Sequence, residues 1–192
     1  MRCDRYRLAQ LRADLARDID VYMGFAAEYH PAALTWKRRL GALLMPSLQA
    51  CLLYRVAHWL HGAGWQRCAM ALTGLNLLLT RVSITPSSRI GGGLYIPHPG
   101  SAIIFHGHAG RDLKLYSGAG VCAGRLSPLH GISSDTMPVL GDDVALGSKA
   151  FIYGPAIIGS HVRLGFNACV EQDLPEGAIV VAARVRNRVR AR

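Results

Sequence analysis

The chain has 192 residues, with 22 Lys plus Arg against 12 Asp plus Glu, a formal charge of +10 and 51% hydrophobic content. That apolar share builds a core and excludes a disordered chain, while 21 Gly and 9 Pro without glycine at every third position exclude a collagen. The length suits one or two domains.

The first residues, MRCDRYRLAQLRADLARDID, interleave charge with apolar side chains and contain no uninterrupted apolar stretch of a secretory signal, so a cytoplasmic address is expected. Leu8, Leu11, Leu15 and Ile19 recur at helical spacing, and Leu48, Leu52, Val56, Trp59 and Leu60 do so again. Proline removes a hydrogen bond from a helix interior, so the second helix is predicted to restart at Ser47, just after Pro46, and to end at Gly62 or Gly64. A third helix is predicted over 65–80. No transmembrane span is expected, because the most apolar windows are broken by Pro46, Arg55 and His58 or fall short of the roughly 20 residues a crossing needs. Cys3, Cys51, Cys68, Cys122 and Cys169 are scattered and form no C-x-x-C spacing, which reads as reduced, mostly buried thiols.

After Arg81 the period changes to six. Leu140, Leu146, Ile152, Ile158, Leu164 and Val170 are aliphatic at every step, and Val144, Ala150, Ala156, Val162 and Ala168 hold a second register of small or β-branched residues. Gly141, Gly147, Gly159 and Gly165 follow four of the aliphatics, and Ile84, Ile90 and Ile96 form an upstream copy. A fixed short period means stacked units that cannot bury their faces singly, here a parallel β-helix whose coil is three hexads. The register weakens over 102–121, where Ala109, Leu115 and Val121 fit but His108 does not. RLSPLHGISSDTMP, residues 125–138, has turn formers and no period, and is predicted to leave the solenoid as a loop of the kind that carries function.

The hexads resemble those of the hexapeptide-repeat acyltransferases. The order of parts narrows the resemblance to the serine acetyltransferase group and its relatives that acetylate exopolysaccharide sugars, such as the colanic acid acetyltransferases. MPSLQACLLYRVAHWLHGAG looks like that group's helical lead-in, ITPSSRIGGGLYIPHPGSAIIFH like the start of its β-helix, VLGDDVALGSKAFIYGPAIIG like its cofactor coils, and LPEGAIVVAARVRNRV like its closing segment. The resemblance implies an α+β chain: a helical N-terminal domain over 1–80, a left-handed β-helix with one ejected loop over 81–183, and a basic tail over 184–192. It also implies acetyl-CoA as donor, no metal, and a homotrimer with active sites between neighbouring prisms. A dimer of trimers through residues 1–80 would use the spare apolar surface of the helices.

His98, in YIPHPG, matches the family's base, and a neutral imidazole suits removal of a hydroxyl proton near neutral pH. His106 and His108 are candidates to orient it or to bind the acceptor, against the ordinary fate of solvated corner residues. Asp135 is a candidate loop carboxylate, against a plain turn role. Gly147, Ser148, Lys149, Gly165, Asn167 and Ala168 lie where the family's cofactor lies, and Arg184 is the tail residue matched to its phosphates; each has a purely structural alternative. No carboxylate or cysteine stands at ligand spacing beside the histidines, so no metal site is expected.

The family's acidic positions read Ser83 and Pro97 here, and its Arg-His pair reads Thr136 and Met137. Free serine therefore ranks below a sugar or polysaccharide-precursor hydroxyl as the expected acceptor, with serine O-acetylation as the alternative and a non-catalytic scaffold as a third reading. Five arginines alternate through the tail. They suit CoA phosphates, an anionic membrane surface or mere solvation, and no motif supports nucleic-acid binding.

Overall fold

The computed structural model describes residues 8–29, 44–123 and 137–182. Asp135, nearly all of the expected loop, Arg184 and the rest of the basic tail lie outside the described residues.

Three helices come first: α1 (Leu8–Tyr29), α2 (Pro46–Gly62) and α3 (Gln66–Thr80). Pro46 opens α2 instead of preceding it, because the first helical position has no intrahelical N–H bond to lose and proline presets its φ. The buried face of α2 is Leu48, Ala50, Cys51, Tyr54, Arg55 and Ala57, and Val56 points outward, 37% exposed. The expected Leu52–Val56 stripe is displaced because α2 packs against α1, α3 and the first coil at once. On α1 the buried stripe runs through Leu11, Asp18, Tyr22 and Met23. Cys51 is buried, Cys122 half-buried, and Cys68 and Cys169 exposed, which corrects the expectation of mostly buried thiols. Cys68 lies on the open face of α3, and Cys169 points out of its strand.

Arg81 ends α3 in the left-handed conformation, φ 60°, and the strands begin one residue later. They form a left-handed parallel β-helix with three faces. Face A stacks β1 (Val82–Ile84), β3 (Ile103–Phe105), β6 (Gly120–Cys122), β9 (Phe151–Tyr153) and β12 (Cys169–Val170). Face B stacks β2 (Arg89–Ile90), β4 (His108–Ala109), β7 (Val139–Leu140) and β10 (Ile157–Ile158). Face C stacks β5 (Lys114–Leu115), β8 (Ala145–Leu146), β11 (Arg163–Leu164) and β13 (Ile179–Val180), with Tyr95 bridged to Lys114 at its upper end.

Both hexad registers point inward. Leu140 lies over Ile158, Leu146 over Leu164 and Ile152 over Val170, three hexads apart in each case, and all six are buried. Val144, Ala150, Ala156, Val162 and Ala168 are buried too. Each larger aliphatic so removed from water contributes about 1.5–3 kcal/mol. The weak register upstream has a geometric cause: Ile84 stacks on Phe105 and Ile90 on Ala109, so the chain takes a long corner after Ile96 and a short one after Phe105.

Helices and prism share one core, in which Tyr22, Leu48, Cys51 and Tyr54 join Ile90, Leu94 and Ile96. Arg55 Nε and Nη2 donate to Asp18 at 2.9 and 3.0 Å, and the guanidinium also donates to the carbonyls of Ile90 and Gly91. The amides of Gly93 and Leu94 donate to Asp18 Oδ1, both at 2.8 Å. Glycine is required at position 93, where φ is 92° and a Cβ would lie 2.1 Å from Asp112 Oδ1.

Candidate active site

The long corner after Ile96 carries His98. The chain leaves face C at Ile96, turns through Pro97, His98, Pro99 and Gly100, and enters face A at β3. Every stage of that turn is tied down from behind. Ile96 N–H donates to the Tyr22 hydroxyl at 2.7 Å, and that hydroxyl lies 3.1 Å from the Ile96 carbonyl. Ser47 Oγ donates to the Pro97 carbonyl at 3.2 Å, Ser117 Oγ to the His98 carbonyl at 3.4 Å, and Gly100 N–H to the Thr80 carbonyl at 2.8 Å. His98 itself is exposed, and among the described residues no side chain hydrogen-bonds its imidazole.

Below His98 the same corner repeats coil by coil. Its turns span 116–119, 147–150 and 165–168, each closed by an amide bond from its last residue to its first: Ala119 to Tyr116, Ala150 to Gly147 and Ala168 to Gly165. The turns are laced together by Lys149 N–H to Ser117 O at 2.9 Å and Asn167 N–H to Ser148 O at 3.0 Å. Five of the six cofactor candidates therefore line one edge beneath His98, with Ala168 beside them. The Ala168 methyl is buried in the prism, so that residue offers only backbone. At Gly147 a Cβ would lie 2.7 Å from the Leu164 carbonyl, so glycine is needed there for the coils to stack this closely.

Lys149 brings an exposed cation to this edge in a left-handed conformation, φ 58°. Asp112, Asp143 and His161 adopt the same conformation at another corner. The turn geometry, not a ligand, demands it. Phe166, 70% exposed beside Asn167, is an aromatic surface that hexad spacing does not single out, because outward turn positions carry no period.

His106 lies on the next corner, between β3 and β4, and His108 opens β4 on face B, so the fold sets both on another part of the prism from the His98 corner. Burial lowers the pKa of His106; burial, then the positive charges of Arg89 and His106, lower that of His108. Arg89 N–H donates to His108 Nδ1 at 3.2 Å, which leaves the neutral ring's proton on Nε2. Ser83 faces half outward on β1, and Pro97 uses its carbonyl to accept from Ser47, so neither supplies a charge near His98. Among the described residues no group of three or more His, Cys, Asp or Glu is placed to hold a metal ion.

Tyr22, Ser47, Thr80 and Ser117 stand behind the turn and carry no sequence signal for that role. Tyr22 lies far from His98 in the chain, and its hydroxyl is aimed by the packing of α1 on α2.

The geometry has counterparts. The chain is 36% identical over 145 residues to a serine acetyltransferase of Helicobacter pylori strain J99, covering 75% of this chain and 82% of that one. Among solved structures it resembles Entamoeba histolytica serine acetyltransferase 1 in complex with L-cysteine, at 26% identity and a TM-score of 0.75, over 90% of this chain and 63% of that one. It shares its fold, at 22% identity and a TM-score of 0.74, with a serine acetyltransferase in complex with CoA, over 95% of this chain and 72% of that one. The chain thus spans less than two thirds of the Entamoeba protein. No protein-family model matches it.

Proposed function

The chain belongs to the serine acetyltransferase family of hexapeptide-repeat acyltransferases, and from that premise we propose that it moves acetyl from acetyl-CoA to the hydroxyl of L-serine, with His98 as general base. The observation that carries the mechanism is the exposed His98 imidazole at the head of the edge formed by Gly147, Ser148, Lys149, Gly165 and Asn167. A neutral imidazole there takes the hydroxyl proton as the oxygen attacks the thioester carbonyl. The carbon–sulfur bond then breaks, and the CoA sulfur leaves with the proton returned from the imidazolium. This edge would hold CoA, with the exposed Lys149 and the tail residue Arg184 as the candidate partners of its phosphates. Asp135 stands as the candidate partner for the acceptor's amino group. The serine acetyltransferase names of the similar Helicobacter pylori and Mycobacterium tuberculosis proteins support this choice of donor and acceptor.

Serine now outranks the sugar acceptor that the sequence placed first, because the relatives carry the amino-acid activity in their names. A sugar or polysaccharide-precursor hydroxyl is kept as the second reading on one observation: Ser83 and Pro97 replace the carboxylates expected near the base. The proposal includes a homotrimer with active sites between neighbouring prisms.

The test is CoA thiol release from acetyl-CoA with L-serine, nucleotide sugars and oligosaccharides, for the wild type and His98→Ala. Turnover of serine that falls about 10²- to 10⁴-fold in the variant is the expected result. Turnover of a sugar but not of serine moves the acceptor to the second reading, and full activity in His98→Ala removes the base assignment.

A further inference from the structure

The family reading assigns His98 its chemistry and leaves open what orients it. Among the described residues no side chain holds the imidazole by its ring nitrogens, whereas the backbone on both sides of it is held by hydrogen bonds from the helices and the second coil. We propose that Tyr22 and Ser47 are positioning residues of the reaction, and that the N-terminal helices act as a clamp that fixes the His98 turn; the inference rests on His98 as base.

Three helices grip the turn at three successive places. The α1 residue Tyr22 accepts from Ile96 N–H at 2.7 Å and lies within bonding distance of its carbonyl, on the residue where the chain leaves the prism. The α2 residue Ser47 donates to Pro97, immediately before the histidine. The last residue of α3, Thr80, accepts from Gly100 after it. The second coil closes the fourth side through Ser117. Prolines at 97 and 99 fix φ on either side of His98, so the turn has few internal degrees of freedom once its ends are held.

The grip is anchored. Tyr22 is buried, and burial pushes its phenol well above the usual tyrosine range, so it remains a neutral hydroxyl that can both accept and donate. Phe25, one turn further along α1, stacks on Tyr95 with ring centroids 4.3 Å apart, and Tyr95 is the residue before Ile96. Asp18, one turn earlier, holds the amides of Gly93 and Leu94. A side chain pattern that binds positions 93 to 97 from one helix after another is more than the docking of a lead-in domain needs. It transmits the rigidity of the helices to the two-residue approach to the base.

Proximity effects are lost when a reacting group is misplaced by about an ångström. Ser47→Ala and Tyr22→Phe each remove one hydroxyl from the clamp, and neither residue touches the edge proposed for CoA. With L-serine as acceptor, each is expected to lower kcat by roughly 3- to 30-fold with both KM values changed less than about twofold, and Ser47→Thr, which retains the hydroxyl, to recover most of the loss. In the spectrum of protein carrying ¹³C-labelled histidine, the His98 signal, assigned by its loss in His98→Ala, is expected to shift or broaden in both variants while the other histidine signals stay in place. An unchanged His98 signal and unchanged kcat in both variants overturn the clamp. A uniform shift of all histidine signals with a parallel fall in melting temperature also overturns it, since that marks general loosening. Full activity of His98→Ala sinks the base and not the clamp, whose spectroscopic arm needs no turnover. Should Tyr22→Phe fail to fold, the half-buried Ser47 carries the same two readouts.

Discussion

Asp143 sits at another corner from the proposed site and is met by two cations, Lys114 and Arg163, and by the His161 ring. Lys114 Nζ lies 2.9 Å from Oδ1, His161 Nδ1 lies 3.1 Å from Oδ2, and Arg163 reaches both Oδ2 and the Asp143 carbonyl. Partial burial alone would raise the carboxyl, but the hydrogen bonds from Arg163, Lys114 and His161 prevail and hold it well below the usual carboxylate range. A depressed folded-state pKa gives stability that is present above the unfolded value, near 4, and lost as pH falls toward the folded one. Asp143→Asn is therefore expected to lower stability at neutral pH by about 1 kcal/mol or less, because the partners are partly exposed. Its melting temperature should also fall less steeply than the wild type's below about pH 4. Equal acid slopes in thermal melts would show that the cluster adds nothing. Each residue of the cluster looks like ordinary surface charge in the sequence. The prism brings them together by stacking coils, and only the register of β5, β8 and β11 puts Lys114 and Arg163 beside this turn.

At the scale of elements, the join between helices and prism depends on a buried pair. Arg55 and Asp18 are both inaccessible to solvent, and although burial would lower the guanidinium's pKa, the Asp18 carboxylate raises it above its ordinary range. Removing Asp18 leaves the buried Arg55 guanidinium with the more distant Asp14, 3.7 Å away, as its ion-pair partner, at a cost of up to about 3–5 kcal/mol. Asp18→Ala should lower the free energy of unfolding by that amount, read as a lower urea midpoint with no change of slope if α1 and the prism still unfold together. A variant as stable as the wild type would mean that the pair merely fills space. The second helix was legible as a helix from Leu48 onward, yet Arg55 reads in the sequence only as a charge that breaks an apolar window. A charged residue reveals its burial only when its partner is known, and Asp18 lies on another helix.

At the scale of the whole molecule, apolar side chains left uncovered among the described residues include a pair on face B and a group on α3. Val139 and Ile157 stand out from face B at 46% and 62% exposure, and Met70, Leu78 and Leu79 do so from α3 at 62%, 79% and 62%. Such surfaces suit the proposed trimer and its pairing through the helices. Ile157→Asp is expected to convert a trimer into monomers in light scattering and to abolish acetyl transfer while leaving the melt cooperative. A monomeric wild type that turns over acetyl-CoA would remove the intersubunit site. Among the described residues no helix is long and apolar enough to cross a membrane.

By itself the sequence determined the solenoid. A six-residue period is local and repeats, so every coil states the same rule, and Leu140 through Val170 spell both inward registers without any knowledge of the fold. His98 was singled out by its PHP setting, a short contiguous motif, and the structure places it exposed at the head of one edge of the prism. Tertiary structure alone decided which candidates share an edge: it set His98 above Lys149 and Asn167, sent His106 to another corner, and turned the Ala168 methyl inward. It also decided what holds the turn that carries His98, because Tyr22, Ser47 and Thr80 reach it through hydrogen bonds whose partners are brought near only by packing three helices against the first coil. Periodic burial is written in neighbouring residues, whereas a polar contact between distant segments exists only after the chain has closed on itself.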